Sequence, residues 1–96
     1  MWMLIIAGHL IVKADERDAY VAECVDVVTA ARSHAGCLDF SITADTVDPT
    51  QIRIYERWES EAALLTFRGT GPGDDQQAAI LDADVQRYGV SSVGDA

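Results

Sequence analysis

Glu56 and Trp58 stand two residues apart in the segment QIRIYERW, residues 51–58. Alternation along a strand sends Ile52, Ile54, Glu56 and Trp58 to one face and Arg53, Tyr55 and Arg57 to the other. A carboxylate among apolar neighbours resists ionisation. Its proton affinity rises, which suits a general base. The plainer reading is an exposed or arginine-paired carboxylate, with Arg53, Arg57 and Arg87 as available partners. His9, within LIIAGHLIV, is the second candidate base, because an imidazole titrates near neutrality. Its plainer reading is a hydrogen-bonded histidine in a subunit interface. His34 ends a helical segment, where a cation complements the helix dipole, and no more is expected of it.

A base needs a place to hold its substrate. Trp58 is the expected wall of an apolar pocket and Phe67 the opposite wall, with Phe40 and Leu64 completing the lining. The plainer reading of Trp58 and Phe67 is core packing. Gly8, in mid-strand, either opens room for a ligand beside Trp58 or marks a β-bulge. Other chemistries are not signalled. Cys24 and Cys37 make neither a disulfide framework nor a zinc site and read as reduced packing residues. The run Gly69–Gly73 is a loop, and no Gly-Lys-Ser/Thr follows it, so it is not a phosphate-binding loop. No metal ligand set and no Ser-His-Asp or Cys-His arrangement stands out.

The elements that must position these residues follow from periodicity. Residues 3–13 read as a strand, with Leu4, Ile6, Gly8, Leu10 and Val12 on one face and Ile5, Ala7, His9 and Ile11 on the other. Tyr20, Cys24, Val27, Val28 and Ala31 recur at helical spacing, which predicts one helix over 14–34, capped by Asp15 and stopped at Gly36. Residues 37–45 alternate, with Leu38, Phe40 and Ile42 on one face, and a turn at 47–50 leads into the strand over 51–58. Ser60 caps a second helix to about residue 68, a short helix spans 74–81, and a last strand spans 85–93. The order β-α-β-β-α-(α)-β is the ferredoxin-like split β-α-β of the α+β class. It makes a four-stranded antiparallel sheet with helices on one face.

Ninety-six residues make a single domain, 1–96, and 49% hydrophobic content is a globular balance. Sixteen acidic against seven basic residues give a net charge of −9, which repels a nucleic-acid backbone or an anionic membrane surface. The longest apolar run, Met1 to Val12, is too short to span a bilayer and lacks the flanks of a signal peptide, so a cytoplasmic location is expected. Both faces of the first strand are apolar, whereas the helices cover only one. The uncovered face spans roughly 400 Å² in projection. Hiding an apolar face of that size contributes about 10 kcal/mol before association costs. A homodimer through the sheet faces is therefore expected.

Three stretches resemble the antibiotic-biosynthesis-monooxygenase (quinol monooxygenase-like) family. They are LIIAGHLIVKADERDAYVAEC, HAGCLDFSITAD and IRIYERWESEAAL, the last similar to that family's Y-E-x-W-x-x-x-x-A-L stretch. The resemblance implies a dimeric α+β barrel. It also implies oxidation of a small aromatic quinol, phenol or polyketide-like molecule by O2, with no cofactor. Such chemistry needs only an apolar pocket for a flat substrate and one base that favours its anion. Relatives often carry a histidine on the second helix and a Ser-Pro-His segment after it. Here those places hold Phe67 and Thr70-Gly71-Pro72-Gly73-Asp74. Haem-degrading relatives use an Asn near the position of Gly8 and that same histidine, so haem degradation is not expected. The missing histidines keep a second reading open: a non-catalytic dimer binding a small ligand, or an isomerase or cyclase of the same fold.

Overall fold

The computed structural model describes residues 2–68 and 74–96, with the backbone alone at 74–76. Eight elements follow in order: β1 (Met3–Ile11), α1 (Arg17–Glu23), α2 (Val25–Arg32), β2 (Cys37–Ala44), β3 (Gln51–Trp58), α3 (Glu61–Arg68), α4 (Asp74–Ala79) and β4 (Asp82–Val90). The strands form one antiparallel sheet in the order β2-β3-β1-β4, with the helices on one face. The expected split β-α-β architecture is present. No helix among the described residues is long and apolar enough to cross a membrane. The loop expected at Gly69–Gly73, and with it the segment that replaces Ser-Pro-His, lies outside the described residues.

β1 runs through the middle of the sheet, between β3 and β4. Its inward residues Leu4 and Ile6, and Val12 just past its end, are fully buried under the helices. The same strand parity buries Ile52, Glu56 and Trp58 on β3. Two apolar clusters result. One gathers Leu4, Ile6, Ala31, Phe40, Trp58 and Leu64; the other gathers Val12, Tyr20, Cys24 and Ile52. Burial pushes the Tyr20 hydroxyl pKa up, as does the Cys24 thiol beside it.

The single helix expected over 14–34 is two helices, broken at Cys24. The Cys24 N–H bonds back to Val21 O at 3.1 Å, three residues away, and this tighter turn re-aims the helix. Tyr20 and Cys24 enter one cluster and Ala31 enters the other. Asp15 is not the cap: α1 starts at Arg17 from Glu16, without a side-chain cap bond. Ser60 does cap α3, its Oγ accepting the Ala63 N–H at 3.1 Å. Leu38 was expected beside Phe40 and Ile42, but a register shift between Cys37 and Asp39 turns it outward to 46% exposure. β4 begins three residues earlier than expected, because the Leu81 N–H already bonds to Ile11 O at 2.8 Å.

The turn between β2 and β3 is built by its own carboxylates. Asp45 accepts the N–H groups of Asp48 and Val47, and Asp48 accepts the hydroxyl and N–H of Thr50. These bonds hold both carboxyl groups below the usual range. Their contribution to stability is present above the ordinary carboxylate pKa and is lost as pH falls through the lowered folded values. Arg17 joins α1 to this turn by donating to Asp48 O at 2.8 Å and Asp45 O at 3.3 Å.

The uncovered sheet face is less apolar than its central strand promised. Ile5, Ala7 and Ile11 lie along β1, but their cross-strand neighbours are polar. Ile5 stands between Arg57 and Tyr88, Ala7 between Tyr55 and Gln86, and His9 between Arg53 and Asp84. The face is an apolar stripe inside a charged frame. The Nε of Arg57 is buried there without a hydrogen-bond partner among the described residues.

Gly8 has φ of 153° and pairs with Val85 on β4. A side chain there would strike the Asp84 carbonyl oxygen. The missing Cβ therefore admits the β4 backbone, not a ligand. Gly8 is also four residues along the strand from Leu4, the partner of Trp58. Replacing Gly8 with Ala is expected to cost about 1–3 kcal/mol by forcing β1 and β4 apart. Urea denaturation measures this; an unchanged midpoint would show that the two strands do not need the close approach.

Candidate active site

β3 presents Glu56 and Trp58 toward the helices, and both are buried at 9% and 0% exposure. The Trp58 Nε1–H donates to Glu56 Oε1 at 3.0 Å. A buried indole N–H and a buried carboxylate each require a partner, and here each supplies the other. Glu56 remains harder to ionise than usual. Burial raises its pKa, while the Trp58 bond and the positive charge of Arg68 oppose the rise. The arginines expected as partners lie elsewhere. Arg53 and Arg57 are on the opposite face of the sheet, and Arg87 pairs with Glu61 at 3.5 Å. Arg68, at the end of α3, is the guanidinium that acts on Glu56.

Above this pair lies a cluster of four rings. Phe67 on α3 has its centroid 5.4 Å from Trp58, 5.7 Å from Phe40 and 5.5 Å from His34. Phe40 and His34 lie edge-on to Trp58 at 6.4 and 6.0 Å. Such tilted and edge-to-face contacts suit the ring quadrupoles. Leu64, fully buried, belongs to the same cluster. The expected residues Trp58, Phe67, Phe40 and Leu64 are thus brought together with Glu56. They close on one another, so the gap expected between the Trp58 and Phe67 walls is filled by the rings themselves.

His9 is not part of this group, because it projects from the opposite face of β1. His34 is the residue that sequence reasoning passed over. Its ring folds back over the cluster because the chain turns sharply after α2. The Cys37 N–H bonds to His34 O at 3.1 Å, and Gly36 adopts φ of 88°. Cys37 then pairs with Trp58 across the ladder. The signal was the short span His34-Ala35-Gly36-Cys37 between helix and strand, which leaves the histidine over the end of β3. Its Nδ1 lies 3.0 Å from Ala35 O. A carbonyl only accepts, so in this contact the Nδ1–H donates.

Among the described residues, two open clefts lie along β2, bordering this cluster without being lined by Glu56, Trp58, Phe40, Phe67 or Leu64. One, of about 250 Å³, is lined chiefly by Cys24, Val28, Arg32 and Ile42. The other, of about 170 Å³, is lined by Arg32, Cys37, Leu38 and Asp39. Neither cysteine forms a disulfide among the described residues, and burial pushes the Cys37 thiol pKa up, which keeps it protonated. Among the described residues no group of three or more His, Cys, Asp or Glu side chains gathers as a metal site.

A family model described as antibiotic biosynthesis monooxygenase matches residues 3–81. In solved structures, this chain is similar to a Deinococcus radiodurans protein named as a candidate antibiotic biosynthesis monooxygenase. The TM-score is 0.83 at 20% identity, covering 97% of each chain. It is similar to Rv0793 of Mycobacterium tuberculosis, with a TM-score of 0.78 at 18% identity over 97% of this chain and 99% of that one. At such identities these structures establish the fold. A curated relative, the uncharacterized protein sll1783 of Synechocystis, is 28% identical over 61 residues. That match covers 64% of this chain and 42% of the relative.

The burial of Glu56 generates a titration test. Its carboxyl should titrate above its ordinary value of 4.5, and Trp58→Phe should raise the midpoint further by removing the opposing bond. The stability from its protonated form is full below the unfolded-state pKa and is lost as pH rises through the folded value. Glu56→Gln should flatten stability across that window. Carbon-13 NMR of labelled glutamate, with denaturation at several pH values, measures both; a midpoint at or below the ordinary value would contradict the burial.

Proposed function

The chain belongs to the antibiotic biosynthesis monooxygenase family, and on that premise we propose that it oxidises a small aromatic quinol, phenol or polyketide-like substrate with O2. The observation that carries the reading is the desolvated Glu56 carboxylate, bonded to Trp58 beneath a ring cluster. In this reading Oε1 stays with Trp58 and the other carboxylate oxygen takes the proton of a substrate hydroxyl or activated CH2. The resulting anion is electron-rich enough to reduce O2 with no added cofactor. For an anthrone-type CH2, the carbon gains one oxygen atom as C=O and the other leaves as water. A flat substrate lies against Trp58, Phe40 and Leu64 only when the closed ring cluster opens to admit it, and Arg68 offsets the charge on Glu56.

Oxygen uptake with a panel of hydroquinones and anthrones tests this proposal. Glu56→Gln should lower kcat about 10²- to 10⁴-fold, the usual worth of a general base. Wild-type activity should rise with pH as Glu56 loses its proton, with a midpoint displaced upward from the ordinary carboxylate value. No uptake above a Trp58→Ala control across the panel would leave the binding-dimer reading in its place.

The second element of the proposal is a homodimer through the uncovered sheet face, in the cytoplasm. The apolar line of Ile5, Ala7 and Ile11, and the orphaned Arg57 Nε beside it, support a covered face. The charged frame makes pairing register-specific, because like charges in opposition are costly. His9→Asp would add a carboxylate beside Asp84 and should weaken association. Sedimentation equilibrium reads this; a wild-type monomer at micromolar concentration would remove the dimer.

A further inference from the structure

Arg32, the last residue of α2, is an exposed arginine held in place. Its Nε–H donates to Phe40 O at 2.9 Å, and the Phe40 N–H donates to Asp39 Oδ1 at 2.9 Å. β2 is an edge strand, and these two bonds engage both backbone groups of Phe40. The Nη donors of Arg32 have no hydrogen-bond or ion-pair partner among the described residues. That is so although acidic residues outnumber basic ones 16 to 7. Arg32 also lines both clefts along β2. In the larger, of about 250 Å³, Val21, Val25 and Val28 precede it at spacings of four, three and four, so one side of the helical stretch is an apolar line that ends in a cation. Ile42 lines the same cleft from β2. Thr29 borders it too, but its hydroxyl proton is committed to Val25 O at 2.8 Å and offers no donor.

We propose that this cleft is a binding site for a short-chain aliphatic monocarboxylate. The carboxylate takes the Nη donors of Arg32 in charge-assisted hydrogen bonds, and the tail lies along Val21, Val25, Val28 and Ile42. An apolar lining with one fixed charged group that orients the ligand is the usual form of a small-molecule site. Charge decides the headgroup. One guanidinium on a chain of net charge −9 balances one negative charge, and a phosphate dianion would leave a surplus in that field. Size decides the tail. Ligand pockets usually begin at roughly 300 Å³, so a cleft just below that size takes one short chain. The Nε bond to Phe40 O matters because a guanidinium already fixed in place loses little freedom when the ligand arrives. The inference does not rest on the proposed oxidation, since Glu56 and Trp58 do not line the cleft.

Hexanoate is titrated into nitrogen-15-labelled protein and followed by NMR, with butanoate as the shorter chain and 1-hexanol as the uncharged probe. Wild type is expected to bind hexanoate with a Kd of about 0.1–1 mM, shifting the amide signals of Val21, Val28 and Ile42. Butanoate, two methylenes shorter, is expected to bind about tenfold more weakly. Arg32→Gln keeps a donor for Phe40 O but no charge; it is expected to lose about tenfold in hexanoate affinity and nothing for hexanol. Val25→Glu, at an exposed first position of α2 where a carboxylate suits the helix, is expected to weaken hexanoate more than hexanol. Added salt is expected to weaken hexanoate relative to hexanol in wild type, which reads the ion pair without any substitution. No saturable shift at ten times the expected Kd overturns the proposal. So does equal hexanoate affinity in wild type and Arg32→Gln, or indifference to salt. Shifts confined to the Trp58 indole signal would put the ligand in the ring cluster and also overturn it. A dimer that both substitutions dissociate in sedimentation, with no response to hexanoate, would make a second copy of the chain the occupant and overturn it as well.

Discussion

The hydrogen bond from Trp58 Nε1 to Glu56 Oε1 is the constraint on which the interior depends. An indole N–H and a carboxylate buried separately would each cost free energy, and more for the charged group. Paired, they let β3 present its largest side chain to the helices with no orphaned donor. The bond also fixes the plane of the indole. That plane sets where Phe40, His34 and Phe67 can pack, since each meets it at a defined tilt. The same pairing leaves a carboxylate of unusual proton affinity inside an aromatic cluster, so a requirement of packing becomes a chemical capability.

β1 carries a different constraint. It pairs on both sides, and its two faces meet unlike environments. Inward, Leu4 and Ile6 close the cluster that holds Trp58. Outward, Ile5, Ala7 and Ile11 make a narrow apolar line among charged columns. Gly8 is where the strand yields to its neighbour, because the β4 backbone fills the space a Cβ would take. The inner face thus packs by general apolar contact, whereas the outer face keeps only a narrow apolar line among polar neighbours. The helices that meet at Cys24 supply residues to both clusters of the inner face.

The sequence by itself determined the topology and most of the strand faces. Period-two alternation in 51–58 placed Glu56 and Trp58 inward together, and the spacing of apolar residues in the first strand gave its buried set. These features are local, written within a few residues of one strand. Ser60 was legible as a cap for the same reason.

What only the tertiary structure decided required residues distant in sequence to meet. Leu38 turns outward through a bulge set by pairing with β3, which alternation within β2 does not reveal. Arg68, not a strand arginine, faces Glu56 because α3 packs across the sheet. His34 enters the ring cluster through the turn at Gly36, and His9 is excluded from it by the pleat. Phe67 closes on Trp58 where an open pocket was expected, since apolar rings without a guest gain more from each other than from water. Side-chain direction along a strand is a property of the chain; which side chains become neighbours depends on how helices lie on the sheet.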